Sequence, residues 1–133
     1  MSGPATPPAA DRRGLGREGE ALAEAWLVAQ GYEVLERNYS TRRGEVDLVC
    51  REGEHVCFVE VRARSGAEHG SPLETVTPVK ARRVVAAATD WAWRNGQLDA
   101  ALRFDVVAVV LGPDGPAFTL VRDAFDAHGQ PTP

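Results

Sequence analysis

Apolar positions at helical spacing open the ordered part of the chain. Leu22, Ala25, Trp26 and Ala29 recur on one stripe between Gly16 and Gln30, and Gly31 supplies a stop, so a first helix is predicted there. "YEVLERNYS", residues 32–40, then predicts a strand of about five residues that turns through Ser40 to Gly44. "GEVDLVCREGEHVCFVEVR", residues 44–62, alternates as two strands around a polar turn, and "SGAEHGSPLETV" (65–76) predicts a loop. Thr77-Pro78 marks the cap and first turn of a second helix, whose apolar run reaches Trp93 and stops by Gly96. "RFDVVAVVL" (103–111) is apolar on both faces, as a central strand is, and "GPDGP" returns it as "AFTLV" (117–121), with a short terminal turn at 123–127. The order of helix, three strands, helix and two strands predicts an α/β sandwich: a central mixed five-stranded sheet flanked by helices.

The 44–62 hairpin carries an anomaly. Opposed side chains share a face and successive ones alternate. A turn at Glu52-Gly53 gathers Val46, Leu48, Cys50, Cys57, Val59 and Val61 on one apolar face and Glu45, Asp47, Glu60 and Arg62 on the other. A four-residue turn, Glu52 to His55, keeps this division and sets Asp47 across from Glu60, whereas an odd turn scatters the acids. One solvated hairpin face is the simple alternative. Val49, Val56 and Phe58 share the acidic face, however, so it is partly buried, and burying unpaired carboxylates is costly. The acids must share a proton, pair with a cation or hold a metal, and acid pairs at strand ends suit Mg²⁺ with its preference for oxygen.

Length and charge narrow the frame. At 133 residues and 14.3 kDa, with 44% hydrophobic residues, the chain fits one domain over residues 14–127, with Pro/Ala-rich residues 1–13 and residues 128–133 expected as disordered tails. A formal charge of −4 argues against non-specific coating of nucleic acid but leaves local patches open. No stretch approaches the ~18 apolar residues of a membrane span, and the start lacks a signal-peptide core, so a cytoplasmic protein without a membrane partner is expected. Cys50 and Cys57 then read as small apolar fillers. Zinc is unsupported, because His55, His69 and His128 show no ligand spacing.

The motifs "GREGEALAEAWL", "GEVDLV", "FVEVRAR", "VTPVKARRV" and "RFDVVAVV" together resemble the YraN family of bacterial proteins, over about Gly16 to Phe125. That family is similar to Holliday junction resolvases and to the restriction endonuclease-like (PD-(D/E)XK) nucleases. The resemblance implies that Asp47 and Glu60 bind Mg²⁺, with Mn²⁺ as a substitute, and that Glu20 is a metal-orienting acid on the first helix. It also implies DNA as partner, with branched DNA suggested by the resolvases. A symmetric four-way junction needs a homodimer to cut both strands.

Where the superfamily has a catalytic lysine, this chain has Arg62. Arginine does not release its proton near pH 7 but stabilises charge on a phosphate. Lys80, the single lysine, lies on the second helix in line with Val84, Ala87 and Trp91. It is either a snorkelling side chain at the helix end or a lysine displaced from strand to helix. On the predicted wheel Glu20 lies nearly opposite the apolar stripe and Glu18 closer to it, and Glu45 is an outer acid or a solvated one. Arg42, Arg43, Arg64, Arg82 and Arg83, with Arg12, Arg13 and Arg17, fall where segments enter or leave the site and suit a phosphate-binding rim. Trp91 and Trp93 read as packing rather than base-stacking groups. The expected function is Mg²⁺-dependent hydrolysis of DNA phosphodiesters. The alternatives are a catalytically inactive nucleic-acid-binding module of the same fold and a protein-interaction subunit with a structural acid cluster.

Overall fold

A computed structural model of the chain describes residues 9–66, 73 and 76–133, with side chains from Gly16 onward. Its elements run α1 (Ala9–Ala29), β1 (Glu33–Ser40), β2 (Glu45–Glu52), β3 (His55–Ser65), α2 (Pro78–Arg94), β4 (Ala101–Gly112) and β5 (Gly115–Phe125). The five strands lie in chain order in one sheet. β3 and β4 are parallel, joined through α2, and the other neighbours are antiparallel. The predicted α/β architecture is therefore present, with α1 and α2 over opposite faces.

α2 begins and ends as its sequence dictates. The Thr77 hydroxyl accepts the Lys80 N–H, Pro78 occupies the first turn, and Gly96 follows the helix at φ 67°. Its buried stripe is Ala81, Val84, Ala87, Ala88, Trp91 and Ala92. Trp91 meets Phe58 edge-on at 5.8 Å and its indole donates to Glu36 at 2.8 Å, whereas Trp93 is exposed.

α1 departs from expectation in two ways. It starts at Ala9, inside the segment expected as tail, where Ala and Arg are good helix formers. Its buried side chains are Ala23 and Leu27, with Trp26 stacked on Phe118 at 5.0 Å, while Ala25 and Ala29 are exposed. Gly19 sets this rotation. It lies against Ala63 of β3 with no room for a Cβ, so the helix closes on the sheet along the Gly19–Ala23–Leu27 line.

The β2–β3 turn is even, but its two residues are Gly53 and Glu54, with Glu52 paired to His55 and Cys50 to Cys57. Both cysteines are free and fully buried, and burial pushes each thiol up to about 12, which fits the filler role. The strict alternation fails at one place. Val46 packs in the α2 layer rather than with Leu48, Cys50, Cys57, Val59 and Val61 on the α1 side. Its partner Tyr39 follows it, while Arg37, opposite Leu48, pairs with Glu24 of α1 at 2.5 Å. The faces exchange at Asp47 and at Asn38, which adopts φ 53°.

The end of the chain also differs. β5 extends to Phe125, and residues 126–130 form a turn in which Asp126 accepts the N–H groups of His128 and Gln130. Buried Gly129 (φ 77°) fits against Arg82 and the Pro78 carbonyl, and Thr132 N–H returns to Ala124, so these residues are fastened to the sheet and α2. Of the 65–76 loop, Leu73 and Val76 pack on the α2 core, and His69 lies outside the described residues. No described helix is long and apolar enough to cross a membrane.

Gly44, just before β2, abuts the Arg83 backbone of α2 and leaves no space for a Cβ. Gly44→Ala should therefore cost about 1–3 kcal/mol, as overpacking does, read as a lower urea midpoint. An unchanged midpoint would show that the turn yields freely.

Candidate functional site

The β2–β3 ladder stops at Leu48–Val59, and one step further the same register places Asp47 against Glu60. The strands separate there. Asp47 Oδ2 accepts the Val61 N–H at 2.7 Å, taking the place of a backbone acceptor. A residue at the exchange of faces belongs to neither layer, which leaves the Asp47 carboxylate free to reach acids on both sides.

Glu60 faces α2 and is 9% exposed, one of two buried acids among the described residues. Burial, then the charge of Asp47 and a hydrogen bond with it, hold its carboxyl well above the usual carboxylate range, against a weaker opposing pull from Arg62. The Arg62 guanidinium lies 3.4 Å from Glu60. The two acids of the motif thus do meet on one hairpin, and the even register that joins them is the one expected of the four-residue alternative.

Glu20 approaches Asp47 from the α1 side of the sheet, while Glu60 lies on the α2 side. The rotation imposed by Gly19 turns Glu20 half inward, and burial followed by the charges of Asp47 and Glu45 raises its carboxyl. Glu18 is exposed, contrary to the wheel drawn on the predicted stripe. Glu45 is exposed at the start of β2.

Lys80, Arg62 and Arg83 join Glu45 and Glu60 in lining a cleft of about 360 Å³, with Val79 and Val84 as apolar wall. Lys80 is exposed, and among the described residues it makes no ion pair with either acid. It therefore combines features of both expectations: its head is in solvent, yet it stands at the mouth of the acid cleft. The expected rim is only partly gathered. Arg83 is in the cleft, and Arg42 and Arg43 line a neighbouring groove beside the β1–β2 turn. Arg64 is further along β3, Arg82 packs under Gly129, and Arg17 borders Glu20 on the α1 side. The Arg12 and Arg13 side chains lie outside the described residues.

One charged cluster has no counterpart in the motif reading. Asp105, fully buried on the α1 face, accepts from Tyr32 at 2.8 Å, twice from Arg103 at 2.9 and 3.0 Å, and from the Asp123 N–H at 2.9 Å. Arg103 continues to Glu52 at 2.5 Å, and Arg122 grips Glu52 with two bonds and lies over the Tyr32 ring. Hydrogen bonding by Arg122 leads the causes that lower Glu52 to about 2. With both Asp105 oxygens doubly occupied, this network is a structural clasp. A fully buried Asp in an apolar strand was its only trace in the sequence.

The donor set suits Mg²⁺. Among the described residues no three His, Cys, Asp or Glu side chains converge as a closed cage. Mg²⁺ does not need one, since one or two carboxylates plus waters and substrate phosphates hold it. Asp47 and Glu60, two oxygen acids forced together with one buried, are such a pair, and a divalent cation would relieve their repulsion.

Comparison with known proteins agrees with the motif pattern. Residues 19–109 match the model of the uncharacterised protein family UPF0102. A UPF0102 protein of Anaeromyxobacter sp. (strain Fw109-5) is 62% identical over 123 residues, 92% of each chain. A UPF0102 protein of Anaeromyxobacter dehalogenans is 59% identical over 90% of each chain, and one of Chromohalobacter salexigens is 46% identical over 88% of this chain and 94% of its own. The chain belongs to the UPF0102 family.

Proposed function

We propose that this protein is a Mg²⁺-dependent endonuclease that hydrolyses DNA phosphodiester bonds, with branched DNA as its substrate. The observation that carries this is the meeting of Asp47 with buried Glu60 at a sheet position where Glu20 approaches from one helix and Lys80 and Arg83 from the other. Asp47 and Glu60 hold the metal, and Glu20 orients it from α1. When bound, Mg²⁺ supplies polarisation of the phosphate and a water of lowered pKa. Arg62 tethers Glu60 and, with Lys80, offsets the negative charge that develops on the phosphate. The assignment to DNA and to branched substrates follows the likeness to junction resolvases.

The test is a cleavage panel of four-way junction, single-stranded and duplex DNA with Mg²⁺, Mn²⁺ or EDTA. Cleavage that needs the metal and disappears in Asp47→Asn is expected; metal-independent or absent cleavage sinks the proposal. Lys80 is assayed alongside. Because its head is in solvent, Lys80→Arg should keep turnover near wild type and Lys80→Ala should reduce it by roughly tenfold, as loss of one electrostatic contact does. Equal losses of about 10² or more in both variants would instead make it a proton-transfer group.

A specific observation favours a second reading. Arg62, at the strand position of the superfamily lysine, is engaged with Glu60, so the same cleft serves a module that binds nucleic acid without turnover. Metal-stimulated binding without cleavage in the panel would select it.

A further inference from the structure

A groove of about 840 Å³ lies between the β1–β2 turn and the exposed flank of α2. The chemistry assigned above does not use it. Arg42 and Arg43 form one wall, and Arg94 with Thr89 the other. Asp90, its one acid, accepts both the Tyr39 hydroxyl and the Arg94 Nε, the latter at 3.0 Å. That leaves the terminal nitrogens of Arg94 directed by Asp90 but without a partner among the described residues. Three cations around one committed carboxylate give the groove a positive balance within a chain of net charge −4.

Its position matters as much as its charge. α2 walls both concavities, giving Lys80 and Arg83 to the acid cleft and Ala86, Thr89 and Arg94 to the groove. The contact of Gly44 with the Arg83 backbone stands between them. From Arg83 to Arg94 the helix rises roughly 16 Å, so a chain anchored at Glu60 continues into the groove along one helix face. The groove lies within the size range of pockets that enclose a ligand, which suits a single strand laid in it better than a duplex resting across it. Tyr39 and Ala86 add apolar surface beside the cations.

We propose that this groove binds a single DNA strand, the one that leaves the duplex at a branch point while its neighbouring phosphate lies at Glu60. The inference rests on the nuclease reading for the location of the scissile bond, but the binding itself does not require hydrolysis.

The test measures binding of the full chain to fluorescent dodecameric oligothymidylate by anisotropy, in EDTA, with a short duplex and oligouridylate as further probes. Arg42→Ala/Arg43→Ala/Arg94→Ala should lower affinity for oligothymidylate at least tenfold and reduce the slope of log affinity on log salt by about 2, the contribution of three phosphate contacts on a single strand. The corresponding triple lysine variant should retain most of the affinity, and Arg51→Ala, on the far part of β2, should change nothing. An unchanged affinity in the triple alanine variant, equal losses for duplex and single strand, or tighter binding of oligouridylate each overturns the proposal. The two readings fail separately. Oligothymidylate binding that depends on the three arginines, without cleavage of any substrate, sinks hydrolysis and keeps the groove. Normal cleavage by a triple variant that binds like wild type sinks the groove and keeps hydrolysis.

Discussion

In metal-free buffer at pH 8, Glu60→Gln melts above the wild-type protein, and Mg²⁺ no longer raises its melting temperature. Glu60 carries a folded-state pKa above its ordinary value because it is buried beside Asp47. Folding therefore favours its protonated form. The associated stability is present below the ordinary carboxylate range and is lost as pH rises through the elevated folded value. Gln presents an amide that can donate to Asp47 and never ionises, so it escapes the loss. We expect a gain of about 1–3 kcal/mol at pH 8, the usual cost of a poorly satisfied buried polar group. That corresponds to roughly 4 °C per kcal/mol for a domain of this size. The gain should vanish near pH 4, where Glu60 is protonated in both states. Mg²⁺ should raise the wild-type melting temperature, and more at pH 8 than at pH 5, because the cation competes with the shared proton. Differential scanning calorimetry of both proteins across pH, with and without Mg²⁺, reads all of this. A mutant gain independent of pH, or an equal metal response in both proteins, would remove Glu60 from any cation site.

Asp105→Asn should unfold at about 2 M less urea than wild type and keep its metal response. Asn cannot serve four donors as the carboxylate does, and its amide N–H groups would face the Arg103 and Tyr32 donors. Breaking a buried ion pair from one side costs about 3–5 kcal/mol, a large share of the 5–15 kcal/mol typical of a domain. With an m-value of about 2 kcal/mol/M, that gives the stated shift. Asp105 is on the α1 face and Glu60 on the α2 face, so the rise in melting temperature on adding Mg²⁺ should survive the substitution. The clasp also has its own pH signature. Glu52 is held at about 2 by Arg122 and Arg103, so its contribution is present above the ordinary carboxylate range and is lost as pH falls toward 2. A urea midpoint within ~0.3 M of wild type would mean that the network is dispensable.

What the sequence disclosed follows from which forces act locally. Periodicity and caps located all seven elements, and the even turn brought Asp47 to Glu60 because register is a counting argument. The rotation of α1 was hidden, since its cause is an absent side chain: Gly19 contributes nothing to an apolar stripe yet decides which face touches β3. The exchange of faces at Asp47 was hidden for a related reason. Alternation presumes an unbroken ladder, and Asn38 breaks it with a backbone conformation rather than a hydrophobic signal. Asp105 takes a donor, Tyr32, from 73 residues away in sequence, which no local pattern encodes. Pro and Gly near the C-terminus suggested a tail, whereas Gly129 is there because only a residue without a side chain fits beside Arg82 and Pro78.

The sheet order β1-β2-β3-β4-β5 has a further implication for how the site comes into being during synthesis. Every strand pairs with its successor, and three of the four pairings are direct antiparallel returns. Such short-range closures are fast, and they emerge from the ribosome in the order in which they pair. Asp47 and Glu60 belong to β2 and β3, while Lys80 and Arg83 belong to α2, which follows them in the chain and packs chiefly on β2. A nascent chain therefore passes through a stage in which the acid pair has formed without its α2 wall, and the docking of α2 on β2 completes the cleft.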